Sequence, residues 1–393
     1  MIKNIKDYIM PTYGERKLEF KEGSGCYLIS TDNKKYLDFG GGIAVNSLGH
    51  CHPKLVKALQ EQASKLWHTS NLYHSSLQEK YAEKLCKNTF ADKVFFTNSG
   101  VEAIEAGIKV VRSFHSYHKN FHKKNIITFD GAFHGRTFAA LSAQQNKKYF
   151  EGFEPLMPGF LKVPFNDLLN FKKNVDENIG AVLLEPIQGE GGIRPFDLKF
   201  IEEVRKICDK NNILFFLDEV QSGFGRSGKL FSYEWTKIEP DILASAKGIA
   251  SGFPFGACLS TEKACIGMTK GKHGSTYGGN PLAISVATEV IEIISNKNFL
   301  NSVDKNARYF WRKLKNIEKK FDEIIEVRGA GLLLGIKVKS DNIIISNLLT
   351  ENGLLNVPAN DSVIRLAPPL IITESEIDEA LKIIEKVFGK INE

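Results

Sequence analysis

Two charged side chains at the ends of apolar runs are where chemistry could begin. Asp218 closes "ILFFLD", and Lys247 follows "DILASA", 29 residues further on. Small and apolar residues then surround Lys247 in "KGIASGFPFGA". A lysine held away from water has a depressed pKa and can act as a neutral nucleophile or base at physiological pH. A strand-end lysine is also an ordinary surface residue, so the neighbouring carboxylate matters. A lysine that forms a Schiff base and a carboxylate that keeps a pyridinium nitrogen protonated are the two fixed needs of pyridoxal phosphate chemistry.

A phosphate then needs a cradle. In "FFTNSGVEA", Ser99 fits a helix N-cap and Glu102 the N3 position of a capping box. A helix N-terminus presents free amides and a positive dipole end. It also describes any normally capped helix, and the two readings coexist. Phe133 in "FDGAFHGRT" could stack on one face of a ring, and Val220 could cover the other. "GSTYGGNP" offers the hydroxyls of Ser275 and Thr276.

Competing motifs occupy the same stretch. Gly223, Gly225 and Gly228 have the GxGxxG spacing of a dinucleotide fingerprint, and Gly223 to Lys229 give most of a GxxxxGK phosphate loop. The first needs a helix after it, but "KLFSYEWTKIEPD" carries no clean helical stripe. Asp218 and Glu219 would stand where the pyrophosphate goes. The second has Leu230 where a hydroxyl should reach magnesium. A nucleotide-binding dehydrogenase or NTPase is the alternative class these motifs keep open. His115, His118 and His122 have helical spacing, yet Lys119, Lys123 and Lys124 would repel a cation, so no metal is expected. "HCHP" at 50–53 reads as a loop and a helix start, because adjacent side chains diverge.

The elements that position these residues follow from periodicity. "GCYLISTDNKKYLDFGGG" alternates like a hairpin turning at Asp32-Asn33, and Pro53 suits the first turn of a helix. From Ser75 to Leu259 helical stretches alternate with the runs "KVFFTN", "NIITFD", "AVLLEP", "ILFFLDE" and "DILASA". Continuous apolar runs of this kind predict a mostly parallel sheet buried on both faces, with ligands at the carboxyl ends of its strands. Asn98, Asp130, Glu185, Asp218 and Lys247 fall at or just beyond those ends. After Pro281 come a long helix and a smaller unit with "GLLLGIKV", "SVIRLAPPL" and a final helix whose Ile377, Leu381, Ile384 and Phe388 share one face. The expected division is 1–65 packing with the small domain, 66–285 as the large cofactor-binding domain and 286–393 as the small domain.

Bulk properties exclude other classes. The 393 residues carry a net charge of +6 spread along the chain, with no basic arm and no aromatic-basic interleaving, so nucleic acid is not an expected partner. The six cysteines form no CxxC pair, which suggests reduced thiols in a cytoplasmic protein. "MIKNIKDYIMPTYGERK" lacks a signal-peptide core, and no apolar run approaches the length of a membrane span.

Across nearly its whole length the chain resembles the class III aminotransferases of fold type I. The resemblance runs in order through "DFGGGIAVNSLGHCHP", "FFTNSGVEA", "GAFHGRT", "LLEPIQGEGG", "LDEVQSGFGRSG", "SAKGIASGFP", "STYGGNPLA" and "IRLAPPL". It implies an α/β large domain plus an α+β small domain from the chain termini. It implies that Lys247 is the Schiff-base lysine, that Asp218 pairs with the ring nitrogen, that Gln221 bonds the ring hydroxyl and that Phe133 stacks on the ring. Ser99, Gly100 and Val101 should hold the phosphate from one subunit. Thr276, with Ser275 beside the substrate, should reach in from the other, so a homodimer is expected. Arg136 should grip the distal carboxylate of either substrate and Arg365 the α-carboxylate of 2-oxoglutarate. Glu190 should mask Arg365 when the amine donor is bound. The expected donor is N-acetylornithine, as in arginine biosynthesis, with succinyl-diaminopimelate, ornithine and 4-aminobutyrate as alternatives. Related ornithine enzymes tend to carry an aromatic where this chain has Gly41-Gly42-Ile43.

Overall fold

Seven apolar runs pair into one sheet in the computed structural model, which describes residues 8–14 and 17–391. The reading of residues 1–17 as lacking a leader therefore falls largely outside the described residues. The strands are β1 (Lys93–Thr97), β2 (Asn125–Phe129), β3 (Phe160–Val163), β4 (Ile179–Leu184), β5 (Leu214–Asp218), β6 (Ile242–Ser245) and β7 (Gly256–Ser260). They lie in the order β1-β7-β6-β5-β4-β2-β3. Only β7 runs against its neighbours. The mostly parallel α/β sheet expected from the runs is what forms.

Both faces of the sheet are covered, which is why β4 and β5 are buried at every position. On β5, Leu214 and Phe216 pack under the helix Gly100–Tyr117, while Phe215 and Leu217 join the larger core on the other face. The helix lies close because Gly107 has no side chain: a Cβ there would stand 2.2 Å from the Phe216 ring.

The chain ends build the rest. A sheet of Ile324–Ala330, Leu333–Val338, Val363–Leu366 and Val357–Ala359 carries Arg365. The N-terminal hairpin Tyr27–Ser30 and Lys35–Asp38 turns with Asn33 at φ 68°, and Lys35–Asp38 pairs in parallel with Leu354–Leu355. The helix Pro53–Ala63 starts with its proline, as expected. The last helix, Glu374–Ile391, buries Ile377, Leu381, Ile384 and Phe388. Among the described residues no helix is long and apolar enough to cross a membrane.

The Gly223–Gly228 stretch, which matched two nucleotide motifs, is a junction. Buried Arg226 donates from Nη1 to the carbonyls of Leu332 and Pro368. Its backbone carbonyl accepts from Leu332 N at 3.0 Å. A Cβ on Gly331 would meet Arg226 O at 2.5 Å, so only glycine permits this contact. The turn thus fastens the Arg365 sheet to the large sheet.

Candidate active site

The parallel register of β5 and β6 sets Asp218 opposite Ala244, and Lys247 follows two residues beyond the end of β6. The backbone at Lys247 is left-handed, with φ 48°. A non-glycine residue in that region is uncommon and, next to an open cavity, is a form of stored strain. Asp218 and Lys247 both line a cavity of about 400 Å³ at the carboxyl ends of the strands. Ser99, Gly100, Val101, Phe133, Arg136, Val220 and Gln221 line the same cavity. A separate cavity of about 500 Å³, lined by Leu217, Trp235 and Trp311, lies across β5 and holds none of these residues.

The electrostatics follow from burial. The Lys247 ammonium is pushed down to about 8, by desolvation first and Arg365 second, against the opposing pull of Glu190, Asp218 and Glu185. Asp218 Oδ1 accepts from Val220 N at 3.0 Å, and Oδ2 accepts from His134 Nδ1 at 2.7 Å. Burial pulls the His134 imidazole down, but the bond and charge of Asp218, with Glu185 behind it, outweigh this and raise it. Glu185 accepts from Phe133 N at 2.9 Å and Gly189 N at 3.1 Å, and burial lifts its carboxyl to about 7.

The first turn of the helix Gly100–Tyr117 is open toward the cavity. Ser99 Oγ accepts from Glu102 N at 3.4 Å, as an N-cap should. Glu102 does not close the expected capping box: its carboxylate takes the N–H and amide of Asn98, one residue before the cap. The N–H groups of Gly100 and Val101 keep no acceptor among the described residues. A Cβ on Gly100 would meet Val220 at 2.7 Å.

Comparison with known proteins settles the family. Residues 8–388 match aminotransferase class-III. The chain belongs to that family. This aminotransferase is 48% identical over 371 residues to the acetylornithine aminotransferase of Mesorhizobium japonicum, covering 94% of this chain and 93% of that one. It is 45% identical to the acetylornithine aminotransferase of Caldanaerobacter subterraneus over the full length of both. Among solved structures, the N-acetylornithine aminotransferase of Stenotrophomonas maltophilia superposes with a TM-score of 0.84 at 35% identity, covering 96% of this chain and 97% of that one. The ornithine aminotransferase of Toxoplasma gondii superposes with a TM-score of 0.94 at 29% identity, covering 98% and 93%.

Class III aminotransferases depend on pyridoxal phosphate, and the cavity of this aminotransferase fits that group. Free helix-end amides at Gly100 and Val101 suit the phosphate. The Asp218 carboxylate suits a protonated ring nitrogen. His134 Nε2, Arg365 Nε and Arg365 Nη2 are buried polar atoms without partners.

Arg365 lies beside the cavity rather than in its lining. It is 1% exposed, and its Nη1 donates to Glu190 Oε1 at 2.6 Å and to Gln221 Oε1 at 3.0 Å. Gly189 permits this arrangement, since a Cβ there would stand 2.4 Å from the Gln221 amide. Arg136 is exposed and stacks its guanidinium 4.1 Å over the Tyr149 ring, leaving its donors free.

Ser275 and Thr276 lie outside the 400 Å³ cavity of their own chain. Ser275 Oγ accepts from Asn98 Nδ2 at 3.3 Å and Gly278 N at 2.9 Å. Thr276 lines a small recess with His68, Asn71 and Gln78.

His134, Glu185 as a site carboxylate, Asn98 and Tyr149 were not anticipated as site residues. Asn98 and Glu185 carried one usable signal, their place at strand ends. His134 sits inside the quoted "GAFHGRT", but its partner Asp218 is 84 residues away, and nothing local marks the pairing.

Proposed function

We propose that this aminotransferase moves the terminal amine of N2-acetyl-L-ornithine to 2-oxoglutarate, giving N-acetyl-L-glutamate 5-semialdehyde and glutamate. The observation that carries the choice is Arg365: buried, paired on one nitrogen with Glu190, and free of partners on Nε and Nη2. Two unlike substrates must share one pocket. The donor reacts far from its α-carboxylate, while 2-oxoglutarate reacts beside its own. Guanidinium binds carboxylate through two parallel bonds. Arg136 at the exposed side takes the distal carboxylate of either substrate. Arg365 takes the α-carboxylate of 2-oxoglutarate, and Glu190 neutralises Arg365 when the donor is bound.

Pyridoxal phosphate, when bound, would supply an electron sink. Ser99, Gly100 and Val101, with Thr276 of a second chain, would hold its phosphate. Asp218 would pair with its ring nitrogen and Gln221 with its hydroxyl, while Phe133 and Val220 would pack against the ring. Lys247 Nζ, with a pKa near 8, is neutral in part at physiological pH and can take a proton from the substrate carbon and return it.

The relatives at 45–48% identity are named acetylornithine aminotransferases, while the ornithine enzyme is 29% identical. At Gly41-Gly42-Ile43 the chain carries no aromatic. Residues 41–44 form a left-handed turn, with φ between 54° and 66°, and Val45 after it lines the cavity. The test is kcat/KM for N-acetylornithine, ornithine, succinyl-diaminopimelate and 4-aminobutyrate. Ornithine outperforming the acetylated donor would refute the choice. A purified protein that takes up no pyridoxal phosphate, or whose borohydride treatment leaves Lys247 unlabelled, would refute the cofactor assignment.

The same reading makes the enzyme a homodimer. Trp67, Leu72, Tyr73 and Tyr277 are 61% to 87% exposed, and His68 packs against Tyr277 with ring centroids 5.1 Å apart. An apolar patch of this kind beside Thr276 suits a second copy of the chain. We assign 66–285 to the large domain and 286–391 to the small domain, with the described residues before 66 packing against the small domain. The cytoplasm fits the six free cysteines.

A further inference from the structure

The histidine- and lysine-rich segment after the helix Gly100–Tyr117 takes no part in transamination. With Pro158 and Gly159 it surrounds a cavity of about 480 Å³. Arg112, His115, Lys123 and Lys124 line this cavity, and no aspartate or glutamate does. Among the described residues none of Arg112, Lys123 and Lys124 forms an ion pair with a carboxylate; burial lowers the Lys123 ammonium, partly opposed by Asp176.

The donors are unevenly used. Lys123 Nζ is committed to the carbonyls of Ile179 and Asn211, both at 3.0 Å. Arg112 spends one donor, Nη2, on Pro158 O at 3.2 Å. The Lys124 ammonium has no partner among the described residues. His115 is 1% exposed and bonds the Gly180 carbonyl from Nε2 at 2.8 Å, so that nitrogen carries the proton. Its Nδ1 is buried without a partner.

A helix C-terminus attracts cations, and that explains the sign of these side chains. It does not explain the cavity. The last helical carbonyls, of Phe114, His115 and Ser116, already accept from the backbone N–H groups of His118, Asn120 and Lys119. The cations are therefore not spent as caps.

We propose that this cavity is a binding site for a phosphate-bearing small anion. A guanidinium, an ammonium and the neutral donors Ser116 and Asn120 suit an oxyanion; burial lowers the His115 imidazole, so its unpartnered Nδ1 stays an acceptor and can take the hydroxyl of a protonated phosphate. Phe121 and Pro158 offer an apolar wall for an organic body. The site is distinct from the cofactor cradle. The two stand at opposite ends of a helix of 18 residues, roughly 27 Å apart at 1.5 Å per residue.

Isothermal titration of the pyridoxal-phosphate-loaded enzyme with inorganic pyrophosphate, at constant ionic strength, tests the site. The cofactor cradle is then filled and cannot compete. One equivalent should bind per chain. The double variant Arg112→Gln/Lys124→Gln changes two exposed residues, so thermal melting and transamination should be unchanged while affinity falls at least tenfold. Phenyl phosphate binding more tightly than inorganic phosphate would assign the site to organic phosphates, and equal binding to the inorganic ion. No saturable binding to the wild type, or equal affinity in the double variant, would overturn the proposal.

Discussion

His134 Nδ1 donates to Asp218 Oδ2 at 2.7 Å with both side chains buried, so the carboxylate at the centre of the site is held by an imidazole. Removing one member of a buried pair leaves the other charge uncompensated. His134→Ala removes the donor to Asp218 altogether. We expect kcat to fall roughly 10- to 100-fold, about 1.4 to 2.7 kcal/mol of barrier, with a smaller change in KM. The pH dependence of the enzyme's visible absorbance band should move as well. An unchanged band and an unchanged kcat would show that Asp218 needs no such support.

Glu190 neutralises a buried guanidinium that otherwise keeps two nitrogens unpartnered. Glu190→Gln retains a hydrogen-bond acceptor and loses the charge. Hydrogen bonds to charged groups contribute about 1.5–3 kcal/mol. We expect kcat/KM for the acetylated donor to drop about tenfold or more, while the half-reaction with 2-oxoglutarate proceeds at a similar or lower KM. Separate half-reactions followed by stopped-flow absorbance would check this. Equal loss of both would contradict a gating role.

Much of this site is legible in the sequence for a physical reason. Asp218 and Lys247 stand at the ends of runs too continuously apolar to be anything but doubly covered strands, and such strand ends collect ligands. Strand β7 escaped notice because "GACLS" has no β-branched or aromatic residue, although every position is buried. The β3 run "FLKV" was too short to stand out. The His134–Asp218 bond and the Arg365–Gln221 bond are products of tertiary packing, joining segments 84 and 144 residues apart. Glu102 illustrates the limit at close range. Its spacing from Ser99 is that of a capping box, yet its carboxylate reaches Asn98 instead and leaves the cradle amides free.

Gly107 gives a stability test of the close approach between the helix Gly100–Tyr117 and β5. Alanine is about 1 kcal/mol better than glycine inside an exposed helix. Here its Cβ would stand 2.2 Å and 2.4 Å from Phe216 ring atoms, in a fully buried strand. Overpacking of this kind costs about 1–3 kcal/mol. Gly107→Ala should therefore destabilise, read as a lower urea midpoint at constant slope. Adding Phe216→Leu should recover part of the loss, since the two positions touch. A more stable Gly107→Ala protein would mean that the ring can move aside.

Glu219 sets a pH dependence of stability that activity would not reveal. Its carboxyl is 0% exposed, and burial lifts it from the usual 4.5 to about 7, only partly opposed by bonds from Ser232 N, Tyr233 N and Ser222 Oγ. Between those values the folded protein keeps a proton that the unfolded chain has released. Stability from this group is therefore fully present below pH 4.5 and is lost as pH rises toward 7, by at most about 3 kcal/mol. Glu219→Gln cannot ionise. Relative to wild type, it should be least favourable near pH 4.5, where the protonated carboxyl costs nothing, and should gain steadily up to pH 7 and then hold level. Urea unfolding of both cofactor-free proteins across pH 4.5–8 would measure the difference. A difference independent of pH would mean that Glu219 is ionised throughout and that its three hydrogen bonds outweigh its burial.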